Sequence, residues 1–232
     1  MINDSLNDIL TQMGNNPLVT DISMITREGI HSVLFSDFER SIGFEIDESI
    51  KLFYKEFNGL KLHIEYDQQY YNDHKNSIAK NVTDPLFYLP EDEENQYLGL
   101  NILPFEEVFT KCYFNFSSEI VKDFNNKKYT VSSLANWIRP FDLFSGFTCA
   151  AFFIDIIDKK IKVLLLDDHY DNWFDSYLID FKMYWEIVLK GYFSTQARKN
   201  ILIKSDDSKH NDYLIKNKIN GLKKPLLFSI KL

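Results

Sequence analysis

Residues 38–59 read Phe38-Glu-Arg-Ser-Ile-Gly-Phe-Glu-Ile-Asp-Glu-Ser-Ile-Lys-Leu-Phe-Tyr-Lys-Glu-Phe-Asn-Gly59. This stretch spells two short helices with start and stop signals. Ser36 and Glu39 have the Ser-x-x-Glu spacing of a capping box, in which each side chain satisfies an N–H of the first helical turn. Phe38 and Ile42 then share a face, and Gly43 supplies the left-handed residue that ends a helix. Asp47 is a favourable N-cap for the second helix. Ile50, Phe53, Tyr54 and Phe57 follow at the spacing of an apolar helical stripe. Asn58 and Gly59, which tolerate positive φ, are expected to close that helix.

Outward from this stretch the chain alternates strand and helix signals. Residues 2–13 predict an N-terminal amphipathic helix with Leu6, Ile9, Leu10 and Met13 on one side. Leu60 to Tyr66 alternates apolar and polar residues, the pattern of a half-buried edge strand. A further strand is expected at Leu98–Leu103, and helices at Ser117–Phe124 and Ser132–Trp137. Trp137 to Asp142 is expected to order the chain ahead of a hairpin, with Arg139 pairing locally to Asp142. The hairpin joins Ala150–Ile157 to Ile161–Asp167 through Asp158-Lys159-Lys160, and its two near-continuous apolar strands predict central places in the sheet. Ser176–Ile179 reads as one more strand. Asp180 is expected to cap a last helix that buries Phe181, Tyr184, Trp185 and Val188.

With 45% hydrophobic and 16% aromatic residues but only eight Gly and six Pro, the 232 residues are composed for a large aromatic core, not for disorder. Two cysteines, Cys112 and Cys149, are too few for a disulfide framework. No signal peptide and no apolar run of membrane-spanning length is read, so a cytoplasmic protein is expected. The charge is uneven. Residues 81–110 hold seven acidic and no basic residues, and residues 163–181 hold five acidic and none basic. Residues 198–232 carry nine basic against three acidic residues, so the chain's net −8 divides into +6 there and −14 before it. An acidic body repels nucleic acid and attracts basic partners.

The two-helix stretch resembles the SUKH superfamily, in which a helix ending in Gly is followed by a capped helix ending Phe-Asn-Gly. Later segments are similar to the same template in the same order. Leu98-Gly-Leu-Asn-Ile-Leu-Pro-Phe-Glu-Glu-Val108 resembles its middle strand and short Pro-x-Glu-Glu-Val helix, and Asp180 to Leu189 its closing helix, which begins with a polar residue and Phe. The likeness covers roughly residues 36–192. The chain has Ile46-Asp47 where the family has Leu-Pro, Leu60 where a second Gly is usual, and longer connections at 68–97 and 111–137. The family includes a yeast cell-wall assembly regulator, the Syd protein and many bacterial immunity proteins against polymorphic toxins.

Chemistry-bearing residues concentrate in Asp167-Asp168-His169-Tyr170-Asp171-Asn172-Trp173-Phe174-Asp175. Carboxylates and His suit a hard metal ion, although the spacing is not that of an EF-hand. Tyr170 and Trp173 in an acidic field equally suit a partner-binding rim, and a solvated turn with Trp173 in the core explains the same residues. Pro90 to Glu94 is an acidic run suited to solvation or to steering a cationic partner. No phosphate loop, nucleophile elbow, zinc-binding helix or Cys-x-x-Cys pair is present. We therefore expect no enzyme, no cofactor and no metal site, since adjacent carboxylates on a strand face opposite ways.

These observations predict an α+β fold: a mixed, mostly antiparallel sheet of about six strands with helices packed mainly on one side. Residues 1–195 are expected to form the domain, with 196–232 as a basic extension packed on or beside it. The resemblance implies an immunity protein that occludes the active site of a cognate toxin domain, itself basic, with a nuclease as the toxin class that suits the charge. The expected partner-binding residues are Asp167, Asp168, Tyr170, Asp171, Trp173, Asp175, Glu91 and Asp92, with no direct nucleic-acid or membrane contact. A regulatory scaffold of the cell-wall-regulator or Syd type is the alternative, and a metal-dependent hydrolase using Asp167–Asp175 the third.

Overall fold

A computed structural model describes residues 2–78, 98–111, 121–124, 127–130, 137–144, 148–155, 158–166, 178–195 and 198–199. Helix α1 (Ile2–Gly14) leads into strand β1 (Val19–Glu28), then α2 (Ser32–Ile42), α3 (Glu48–Glu56), β2 (Phe57–Tyr66) and α4 (Gln68–Ile78). Strand β3 (Leu98–Ile102) is followed by a π-helical turn (Glu106–Lys111) and a small hairpin of β4 (Val121–Phe124) and β5 (Lys127–Thr130). Strands β6 (Ile138–Leu143), β7 (Cys149–Asp155) and β8 (Lys160–Leu166) precede the closing helix α5 (Phe181–Lys190). The main sheet has six strands in the order β1-β2-β3-β6-β7-β8, with every neighbouring pair antiparallel. This is an α+β architecture.

Helices α1, α3 and α5 pack against one another over one face of this sheet. Their apolar stripes meet it as the spacing predicts: Leu6 and Met13, then Ile50, Phe53 and Tyr54, then Phe181, Tyr184, Trp185 and Val188 are all buried. Phe53 is ringed by aromatic side chains, 5.5 Å from Phe181 and 5.2 Å from Trp185 between centroids. Edge-on ring pairs of this kind add to the area they bury. The other face differs along the sheet. On β2 it carries exposed Lys61 and Glu65, whereas on β7 and β8 it carries buried Cys149, Ala151, Phe153, Leu164 and Leu166.

The caps hold in part. Asp47 accepts from the Ser49 N–H and Asp180 from the Met183 N–H, each at 2.8 Å, and Gly43 is left-handed with φ 80°. The expected capping box at Ser36 and Glu39 does not form. Helix α2 begins earlier, behind His31, which makes no side-chain cap, and Ser36 bonds back to the Ser32 carbonyl within the helix. Glu39 instead reaches into the next element: its Oε1 accepts from the Ile46 N–H at 2.8 Å and lies 2.6 Å from Lys51 Nζ. Partial burial opposes its charge, but the hydrogen bond from Lys51, the Ile46 N–H and the Lys51 charge outweigh that and hold its pKa below the usual glutamate range. A carboxyl depressed by folding stabilises above its unfolded pKa and loses that contribution as pH falls through the folded one. Glu39→Gln is therefore expected to lower stability by about 1–2 kcal/mol at neutral pH. The difference from wild type should close in acid, which urea titrations across pH would read.

Several strand expectations are corrected. Asn58-Gly59 does not close α3; the helix ends at Glu56 and passes without a loop into β2, so Phe57 is buried as a strand residue. Strand β2 is not an edge, because β1 covers its outer side. Residues 121–124 are strand rather than helix, and the helix expected at 132–137 falls on residues outside those described save Trp137. Strand β7 is central as expected, but β8 ends the sheet, bounded by an isolated bridge from Val163 to Ile179.

Candidate functional site

Asp167, Asp168, Tyr170, Asp171, Trp173 and Asp175 lie outside the described residues, as do Glu91 and Asp92. The sheet fixes the points where those segments join it. The first leaves after Leu166, opposite Cys149 and one position beyond the row Leu60–Ile102–Asp142–Ala150–Leu165. The second enters at Leu98, opposite Ile64, at the other end of β3. By strand rise and strand spacing the two attachment points stand roughly 20 Å apart.

Among the described residues polar chemistry is concentrated in one buried place. Asp142 sits on β6, Tyr184 on α5, and Arg198 just past the turn that follows α5; all three are 0% exposed. The Tyr184 hydroxyl donates to Asp142 Oδ2 at 2.5 Å, and the Asn101 N–H donates to Oδ1 at 3.1 Å. Arg198 Nε lies 3.3 Å from Oδ2, close enough for ion pairing but off the line of a hydrogen bond. Its two terminal nitrogens donate to the carbonyls of Phe193 and Gly99, each at 2.9 Å, and its guanidinium lies 4.8 Å over the Phe144 ring. Burial first, and then the Asp142 charge, push the Tyr184 phenol well up, so it stays a hydrogen-bond donor.

The expected Arg139–Asp142 pair does not form; Arg139 Nε is buried without a hydrogen-bond partner. The true partner comes from the segment that the sequence assigned to a basic extension. Nothing near Arg198 in sequence marks it, but an acid flanked by Phe141 and Leu143, once placed in a strand, is a sign that a counter-charge must exist. Sealed from solvent, the three residues tie Arg198, just past α5, to β3 and β6 and offer no substrate access.

The remaining candidates for chemistry are inert or dispersed. Burial and the nearby Asp142 charge push the Cys149 thiol far above its ordinary value, so it packs as a small apolar residue. Among the described residues no group of three His, Cys, Asp or Glu side chains is placed to hold a metal ion, and no helix is long and apolar enough to cross a membrane. The Asn58 side chain, missed as a functional position by the sequence, accepts from the Phe105 N–H at 2.9 Å and donates to Glu106 at 3.3 Å. Gly59, with φ 89°, lets β2 pass close to Pro104 and Ile102. Phe-Asn-Gly thus clamps the start of Pro-Phe-Glu-Glu-Val.

Above that clamp the rings of α2 and α3 close on the π-helical turn: Phe35 and Tyr54 lie 5.1 and 5.4 Å from Phe105, and Phe38 lies 4.6 Å from Phe109. Comparison with protein-family models, with curated proteins and with solved structures finds no match to this chain in any of the three.

Proposed function

We propose that this chain is a cytoplasmic immunity protein of the SUKH type, which binds a basic toxin domain and covers its active site. The observation that carries the reading is the convergence of the segments bearing the resemblance. The Gly43 helix, the Asp47-capped helix, Phe57-Asn58-Gly59, Pro104 to Val108 and the Asp180-capped helix supply one contiguous aromatic core, joined by Asn58. Segments that are each ordinary alone form a single structural unit together. The charge supports the same reading, since an acidic body suits a partner that must itself be cationic to hold phosphates.

Binding would act through the acidic, aromatic segment at Asp167, Asp168, Tyr170, Asp171, Trp173 and Asp175, with Glu91 and Asp92 adding to the field. Co-expression with the toxin domain encoded beside it should restore growth and give a complex on a sizing column. Replacing Asp168, Asp171 and Asp175 by Asn should slow association about tenfold at low salt, with the difference shrinking as salt screens the field. Failure to protect, with no complex formed, removes this reading.

A further inference from the structure

We infer that β1 is the interface of a two-fold symmetric dimer of this chain, in which two copies pair edge to edge, antiparallel, with Met24 on the axis. Strand β1 ends the sheet, and among the described residues it is paired on its β2 side alone. It is ten residues long and eight of its ten residues are exposed, so among the described residues nothing covers its outer edge. Long free edges are templates for pairing, and proteins that keep them unpaired blunt them with Pro, Lys, a central bulge or a covering loop. Strand β1 has no Pro and no Lys. Its irregularity lies at Val19–Asp21, and the other ladder shift, opposite Thr26 to Glu28, is carried by β2 around Gly59. From Asp21 to Glu28 the strand is therefore regular. At its middle Ile25 is 69% exposed and Met24 41%, large apolar side chains on the two opposite faces of an edge.

The sequence of the strand also selects the partner. A symmetric contact must be self-complementary, so that if residue i meets j, then j meets i. With Met24 on the axis, Asp21 of each copy opposes Arg27 of the other, Ile22 opposes Thr26, and Ser23 opposes Ile25. That register makes two opposite-charge pairs and places four apolar side chains, Met24 and Ile25 from each copy, in the middle. Moving one copy by two residues, the step that keeps the outward-pointing backbone groups of both edges facing each other, sets Asp21 against Ile25 or against Gly29, losing both pairs. Within one chain Arg27 lies 3.7 Å from Glu107, but its side chain is 66% exposed, and so weak a surface pair leaves it available. The same register keeps the helices of both copies on one side and extends the six strands into a continuous sheet of twelve. The inference stands independently of any toxin partner.

Sedimentation velocity on the full chain at rising concentration should show a monomer–dimer equilibrium. Asp21→Arg and Arg27→Asp should each weaken the dimer by about tenfold or more, because each sets like charges against each other twice. The combined exchange should restore it. Both positions are exposed, so unchanged thermal melting of each variant verifies that folding is not the cause. Under mild oxidation Met24→Cys should cross-link rapidly, since Cα atoms across such a pair stand about 4.5–5.5 Å apart, within disulfide reach. Thr20→Cys should cross-link no faster than the wild-type chain, because the two positions would be roughly 25 Å apart. A chain that stays monomeric, an exchange that fails to restore association, or cross-linking as fast at Thr20 as at Met24 overturns the proposal.

Discussion

Asp142→Ala is expected to lower stability by about 3–5 kcal/mol, because it strands the Arg198 guanidinium in a site with no access to water. Arg198 would keep its two carbonyl acceptors on Phe193 and Gly99 but lose the only negative charge placed against it among the described residues. Tyr184 would lose the acceptor of its hydroxyl at the same time. Arg198→Met should be damaging for the mirror-image reason, leaving Asp142 buried with the Tyr184 hydroxyl and the Asn101 N–H alone. The double variant should lose clearly less than the sum of the two, since a cycle over residues in direct contact does not add. Urea denaturation of the four proteins reads this directly. Single losses under about 1 kcal/mol, or strict additivity, would show that the pair does not tie Arg198 to the sheet.

Gly29→Ala is the second large effect, expected at roughly 3 kcal/mol or more. A Cβ at residue 29 would lie 1.8 Å from the Lys55 carbonyl oxygen and 2.4 Å from its carbon. Both atoms are main chain, so no rotamer change relieves the overlap; the exit of β1 or the last turn of α3 must shift. That shift would strain the hydrogen bond from the Ile30 N–H to the Tyr54 carbonyl, now 2.9 Å, which ties the two elements. Gly43→Ala is the matched control. Its φ of 80° disfavours a side chain, yet nothing lies within 4 Å of the added carbon, so about 1–2 kcal/mol is expected. Equal losses at the two positions in thermal or urea melts would contradict the close approach.

How much of this was legible follows from how local each signal is. Asp47, Asp180 and Gly43 act within one helical turn, and their roles could be read from the sequence and are found in the structure. Ser36 and Glu39 have the same local pattern, but Glu39 is used across the α2–α3 junction by Ile46 and Lys51, so tertiary bonding overrode the spacing. Strand β1 gave no periodic signal because it is exposed on both faces, and its neighbour β2 consequently read as an edge. Asn58-Gly59 looked like a helix stop because positive φ and a side-chain clamp serve a strand irregularity as well as a helix end. The acidic segments were legible as charge alone, and the buried knot was not: residues 137–142 were not read as a strand, Arg139 offered Asp142 a local counter-charge that the fold does not use, and Arg198 lay far along the chain.

That separation has a meaning for how the protein is made. Ribosomes deliver the chain from its N-terminus, and Asp142 emerges with β6 well before the residue that neutralises it. At roughly 5–20 residues per second the interval lasts several seconds. Throughout it the nascent sheet holds an acid at its centre with no cation to meet it, and Gly99 offers a carbonyl to a guanidinium not yet synthesised. Docking of Arg198 is then a late capture event, in which a residue made after α5 locks onto strands that precede it in the chain.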